Sequence, residues 1–164
     1  MAQTEFIISI DLPHPRNQVW QEITDFPSYS SWNSVLSMAG NDQLEVGKKF
    51  RVQINTKDGK SSTFRAVVLK KEKQQYFSAQ QKILGKWFFT ATHYFIVEEA
   101  GGGTTKFVQK WELTGIVSRL FKKMIFKQLE EFRQMNTDLK NHMDAKYLNS
   151  TTHEKDRLTQ RAPR

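Results

Sequence analysis

His14, His93, His142 and His153 are the side chains of this 164-residue chain that ordinarily titrate near neutrality, and so the first suspects for proton transfer or metal binding. None stands at metal-ligand spacing from another. With no cysteine in the chain, thiolate ligands, disulfides and cysteine nucleophiles are all excluded. There is no Gly-x-Ser-x-Gly elbow, and Gly101-Gly102-Gly103 precedes a strand pattern instead of a helix, so no phosphate-cradling loop follows. No metal and no cofactor are expected. His93 alone lies within an apolar row: Trp87, Phe89, Ala91, His93, Phe95 and Val97 alternate with Phe88, Thr90, Thr92, Tyr94, Ile96 and Glu98. An imidazole there could act as general acid or base, or as a hydrogen-bonding group that orients a ligand. An interior histidine bonded to its neighbours is the plainer reading. No acidic residue shares the inner rows of the two longest strand patterns, so a paired-carboxylate mechanism lacks its second member.

Three other polar side chains fall on or beside apolar rows. Gln109 shares a row with Phe107, Trp111 and Leu113; Gln128 and Asn136 lie along a helical stripe. An unsatisfied buried amide or imidazole costs roughly 1–3 kcal/mol, so these groups need partners in each other, in water or in a ligand. Ala79 and Ala91 are small residues in rows of bulky ones. Together these features predict an apolar cavity with a few convergent polar groups, the usual form of a small-molecule site. Phe77, Trp87, Phe89, Phe95, Phe107 and Trp111 would form its walls. His93 and Gln109 would orient the polar end of a ligand, and Ile125, Gln128, Leu129 and Phe132 would close the floor. Trp32 reads equally as a packing anchor or as part of the mouth, and for any single residue of the aromatic rows plain core is the commoner reading.

The elements that would hold these residues follow from periodicity. Phe6, Ile8 and Ile10 mark a first strand; Pro15 opens a helix to residue 24, and Asp25-Phe26-Pro27 starts a second short one. Strands are predicted at 35–39, 50–55, 62–71, 75–81, 87–98 and 105–114, with Asp58-Gly59 as a tight turn. Short polar connections favour an antiparallel meander over βαβ units. From about 118 to 147 an apolar stripe (Phe121, Ile125, Leu129, Phe132, Leu139, Met143) faces away from Lys123, Lys127, Glu130, Arg133 and Asp138, the pattern of one long helix.

The chain is 38% apolar and 26% charged, which suits a single globular domain over residues 1–148, with 149–164 as a polar tail. No apolar run is long enough for a membrane helix and no signal-peptide layout is present, so a cytoplasmic protein is expected. The net charge of +8 could attract a polyanion. The richest aromatic rows are assigned inside, so specific nucleic-acid binding is not expected. Leu120 and Phe126, read as outward beside Lys122, Lys123 and Lys127, could touch an anionic membrane transiently.

Three stretches carry a family likeness: Val19-Trp20 followed by Asp25-Phe26-Pro27-Ser28-Tyr29-Ser30-Ser31-Trp32-Asn33; His93-Tyr94-Phe95 with Gly103-Thr104-Thr105-Lys106-Phe107; and Phe132 to Lys140. On these, over about residues 4–146, the chain resembles the START-like (SRPBCC) superfamily of polyketide cyclases/dehydrases, pollen-allergen proteins and small bacterial ligand-binding proteins. The resemblance implies an α+β helix-grip fold: a curved antiparallel sheet of six or seven strands wrapped around a long C-terminal helix, with two short helices after the first strand. It implies a hydrophobic small-molecule partner, lipid-like or polyketide-like, held between sheet and helix. The alternative is a cyclase or dehydratase using His93 as general acid/base. The chain departs from its relatives at Ser34, where a proline is common, and at Gln109-Lys110-Trp111, where a His-Arg-Glu-like run is common.

Overall fold

The computed structural model describes residues 3–38 and 43–148. The expected tail, 149–164, lies outside the described residues, as does Ala39 at the end of the second predicted strand. The elements run β1 (Thr4–Leu12), α1 (Arg16–Thr24), a 3-10 turn (Phe26–Ser28), α2 (Tyr29–Trp32), β2 (Leu36–Met38), β3 (Lys49–Asn55), β4 (Ser61–Glu72), β5 (Tyr76–Ile83), β6 (Phe89–Gly101) and β7 (Thr104–Thr114). The helical segments α3 (Ile116–Leu120), α4 (Lys122–Leu129) and α5 (Phe132–Met143) follow, and a π-type turn spans Asp144–Leu148. The architecture is the α+β helix-grip arrangement.

Seven strands form one antiparallel sheet in the order β1-β7-β6-β5-β4-β3-β2. The first strand therefore pairs with the last, and the others follow as a meander. Its register stacks the inner rows into layers that cross the sheet. Phe6, Trp111, His93, Ala79 and Val68 form one layer; Ile8, Gln109, Phe95 and Phe77 form the next. A bulge between Val68 and Lys70 adds bend to β4, as an extra unpaired residue does. The concave face carries the core, with Phe26, Phe77, Phe107, Met135 and Leu139 almost wholly buried.

Two boundaries differ from the sequence expectation. β6 begins at Phe89, because residues 84–88 form the turn from β5; Trp87 belongs to that turn and is 62% exposed. The single helix expected over 118–147 is stepped at Phe121 and at Glu130-Glu131. At the second step Glu131, Arg133 and Gln134 donate to carbonyls three residues back, a tighter winding than the α-helix. Ser118 lies inside α3 and its hydroxyl donates to the carbonyl of Gly115. Gly115 itself has φ +99°, and a Cβ there would stand 2.4 Å from the Phe88 carbonyl oxygen, so only glycine permits this approach.

The aromatic motif after α1 is structural. Phe26 packs on Tyr29, Phe50 and Phe77, the buried Tyr29 hydroxyl donates to the carbonyl of Ile23 at 2.6 Å, and Asn33 Oδ1 accepts from the N–H groups of Val35 and Leu36. At Ser34, the missing proline leaves an N–H that donates to Asp138 Oδ2 at 2.9 Å, tying this segment to α5.

Candidate functional site

Between the concave sheet and α4 lies a cavity of about 290 Å³, at the lower end of the roughly 300–1,000 Å³ usual for small-molecule sites. One wall is the row Phe89, Ala91, His93 and Phe95 on β6 with Phe77, Ala79 and Gln81 on β5. Register explains the free space: Ala79 lies opposite His93, and Ala91 lies between Gln81 and Leu113, so methyl groups stand where neighbouring layers carry rings. Trp111 and Leu113 continue the wall on β7, and Ile125, Gln128, Leu129 and Phe132 close the helical side. Polar groups (Thr56, Ser62, Gln81, Gln128, Glu131) gather at the rim. There the N–H of Lys57 donates to Glu131 Oε2 at 3.2 Å, linking the β3–β4 turn to the α4–α5 step.

His93 is the polar centre of an otherwise apolar wall. Its ring lies 4.0 Å from Trp111 and 3.9 Å from Phe95 between centroids, with Phe132 edge-on at 5.5 Å. His93 Nε2 meets Gln109 Oε1 at 3.0 Å, and Gln109 Nε2 donates to Asn136 Oδ1 at 2.7 Å. The amide orientation is fixed independently, since Gln109 Nε2 also faces the carbonyl oxygen of Phe132, which can only accept. Gln109 Oε1 therefore accepts, and His93 donates from Nε2. The neutral ring then carries its lone pair on Nδ1, which has no hydrogen-bond partner among the described residues, and the His93 side chain lines the cavity. Burial pulls the imidazole from 6.5 down to about 3, against a smaller upward pull from Gln109, so the ring is neutral at physiological pH.

The expected lining residues Phe77, Phe89, His93, Phe95, Trp111, Ile125, Gln128, Leu129 and Phe132 all reach the cavity. Four others do not. Trp87 sits on the exposed turn before β6. Phe107 is one layer deeper, paired with Val97 and Ile10, and wholly buried. Gln109 stands behind His93 as its hydrogen-bond acceptor, not in the cavity wall. Trp32 is an anchor: it stacks on His142 at 5.8 Å, packs on Tyr29, and its indole N–H donates to Ser28 Oγ. Phe126, read as outward, packs on Phe6 at 5.0 Å. Periodicity had not placed the far wall, where Leu36 and Met38 of β2, Phe50, Val52 and Ile54 of β3, and Phe64 and Ala66 of β4 face the cavity. The Phe50-Val52-Ile54 alternation was the available signal, and only sheet curvature brings it opposite β6.

Among the described residues no cluster of three or more histidine and carboxylate side chains could hold a metal ion, and no helix is long and apolar enough to cross a membrane. A comparison with curated proteins found no match. Solved structures share the fold. Protein NE0264 from Nitrosomonas europaea is 16% identical, with 87% of this chain covering 95% of that one at TM-score 0.65. A START superfamily protein from Mycobacterium smegmatis is 15% identical, with 86% covering 97% at TM-score 0.63. The di-domain ARO/CYC BexL from the BE-7585A biosynthetic pathway is 14% identical, and 85% of this chain covers 50% of it at TM-score 0.64. The family described as polyketide cyclase / dehydrase and lipid transport matches residues 3–144, which span β1 through α5, and the chain belongs to that family.

Proposed function

We propose that this protein binds an apolar small molecule that presents a hydrogen-bond donor, such as a phenolic or alcoholic hydroxyl, to His93 Nδ1. The observation that carries the reading is the lone acceptor in an aromatic wall: a ligand with no donor would bury that lone pair unpaired. Lipid-like and polyketide-like molecules both meet the requirement of a greasy body with a hydroxylated end. The family's description joins polyketide cyclase / dehydrase with lipid transport, and that supports a polyketide-like body as readily as a lipid. Binding is favoured over acid–base catalysis because burial leaves the imidazole a weak base and its hydrogen-bond partner is the neutral amide of Gln109, with no carboxylate bonded to it among the described residues.

The test compares 2-naphthol with its methyl ether, followed by intrinsic tryptophan fluorescence on purified, delipidated protein. A hydrogen bond contributing about 0.5–1.5 kcal/mol predicts roughly two- to tenfold tighter binding of the naphthol. His93→Phe should erase that preference while leaving the ether's affinity nearly unchanged. Equal affinities for both probes in the parent protein would overturn the assignment of His93 as acceptor. Native mass spectrometry of protein taken from its own host would then give the mass of the resident molecule.

A further inference from the structure

Six apolar side chains that the core does not use lie where the β5–β6 turn meets the start of the C-terminal helix: Leu84, Trp87, Ile116, Leu120, Phe121 and Met124. Leu84 and Leu120 are each 71% exposed. The two segments are joined by backbone, the Trp87 carbonyl accepting from Ile116 N–H at 3.0 Å and the Phe88 carbonyl from Val117 N–H at 3.1 Å. Ile116 and Leu120 stand four residues apart on α3, which aligns them on one helical face, and Met124 follows on α4 beyond the step at Phe121. The opposite face of α4 is committed elsewhere, with Ile125 and Leu129 on the cavity. Leu84 also adopts φ +50°, a region where glycine or asparagine would be cheaper, so folding alone does not account for a leucine there.

Charge supplies the second observation. Lys82, Lys86, Arg119, Lys122, Lys123 and Lys127 surround these side chains and are exposed, and residues 82–88 and 115–129 contain no acidic residue. None of the six cations forms an ion pair with a described residue, so their charge is not neutralised by a neighbouring carboxylate. A hydrophobic tip ringed by such cations, with an indole among its apolar groups, matches one environment on both counts. We propose that this end of the molecule docks on an anionic phospholipid bilayer, with Leu84, Trp87, Leu120 and Met124 entering the headgroup–acyl boundary and the cations lying among the headgroups. A nucleic acid would engage the lysines and leave the leucines in water.

Sedimentation of the full chain with phosphatidylcholine vesicles, with and without phosphatidylserine, tests the proposal. Pelleting should require phosphatidylserine and weaken as salt is raised. Lys122→Gln with Lys123→Gln and Lys127→Gln should lower partitioning on the order of a hundredfold, at about fivefold per charge. Trp87→Ser with Leu120→Ser should lower it by about tenfold or more at unchanged circular dichroism. Absence of pelleting with phosphatidylserine vesicles at low salt overturns the proposal. So does a serine variant that pellets as the parent does while both bind a duplex oligonucleotide, since the cations alone would then explain the attraction. The tip shares none of these side chains with the cavity wall, and Ala79→Leu, which occupies cavity space, should leave vesicle binding intact.

Discussion

At His93 the surroundings of one ring set both its protonation and its use. Trp111 and Phe95 flank it, Gln109 accepts the hydrogen bond from its one N–H, and Nδ1 is left without a partner among the described residues. Because the folded state holds the imidazole down to about 3 while the unfolded chain protonates near 6.5, only the unfolded state takes up this proton between those values. Stability should therefore fall as pH drops through that window, by up to about 1.4 kcal/mol per pH unit for one proton, and be unaffected by this group above it. Urea melts between about pH 7 and about pH 4 should show a shallower decline for His93→Gln than for the parent. Parallel declines would mean that the folded ring accepts protons freely. The polar residues seen on apolar rows in the sequence proved to be one another's partners for His93, Gln109 and Asn136; Gln128 instead faces the cavity rim. Parity could mark all four as unusual, but who bonds whom depends on β6, β7 and α5 meeting in space.

At the scale of elements, Glu22 fastens the first helix to the last. It is nearly fully buried on α1 and accepts from His142 at 2.8 Å, Lys146 at 2.6 Å and the Tyr147 hydroxyl at 2.6 Å. Burial pushes its carboxyl up, but the bonds from Lys146, Tyr147 and His142 together outweigh it and hold the group below its ordinary 4.5. That contribution is fully present above 4.5 and is lost as pH falls through the lower folded value. Glu22→Gln should cost about 1–3 kcal/mol at neutral pH by chemical denaturation, and the gap to the parent should narrow in acid. A gap that persists unchanged in acid would assign the cost to packing instead. Nothing local announces this cluster, since Glu22 and its partners are separated by 120 residues or more. The edges of elements were similarly hidden. Trp87 continues the alternation of β6 in sequence, yet the positive φ of Leu84 and Gly85 and the docking of α3 on Phe88 keep it in the turn.

Over the whole molecule, the question is whether the concave face encloses space or is merely a loosely drawn core. Ala79→Leu answers it by sign. Filling an existing void should stabilise by about 0.5–2 kcal/mol, raising Tm by a few degrees, while abolishing 2-naphthol binding. In a core already closed, the same methylenes would destabilise by about 1–3 kcal/mol. Thermal melts read alongside naphthol titrations separate the two cases, and a lowered Tm would sink the cavity reading.

Strand and helix identities, the antiparallel meander, the inner rows of β5, β6 and β7 and the odd position of His93 were legible from residue order, because alternation and helical stripes are properties of neighbouring residues. The far wall on β2 to β4, the burial of Gln109 and Phe107 behind the lining, the anchoring role of Trp32 and the exposed tip around Trp87 were not. Each of these depends on how strongly the sheet curls and on which layer the helix covers. Curl and coverage arise from contacts between residues far apart in the chain, and local periodicity carries no record of them.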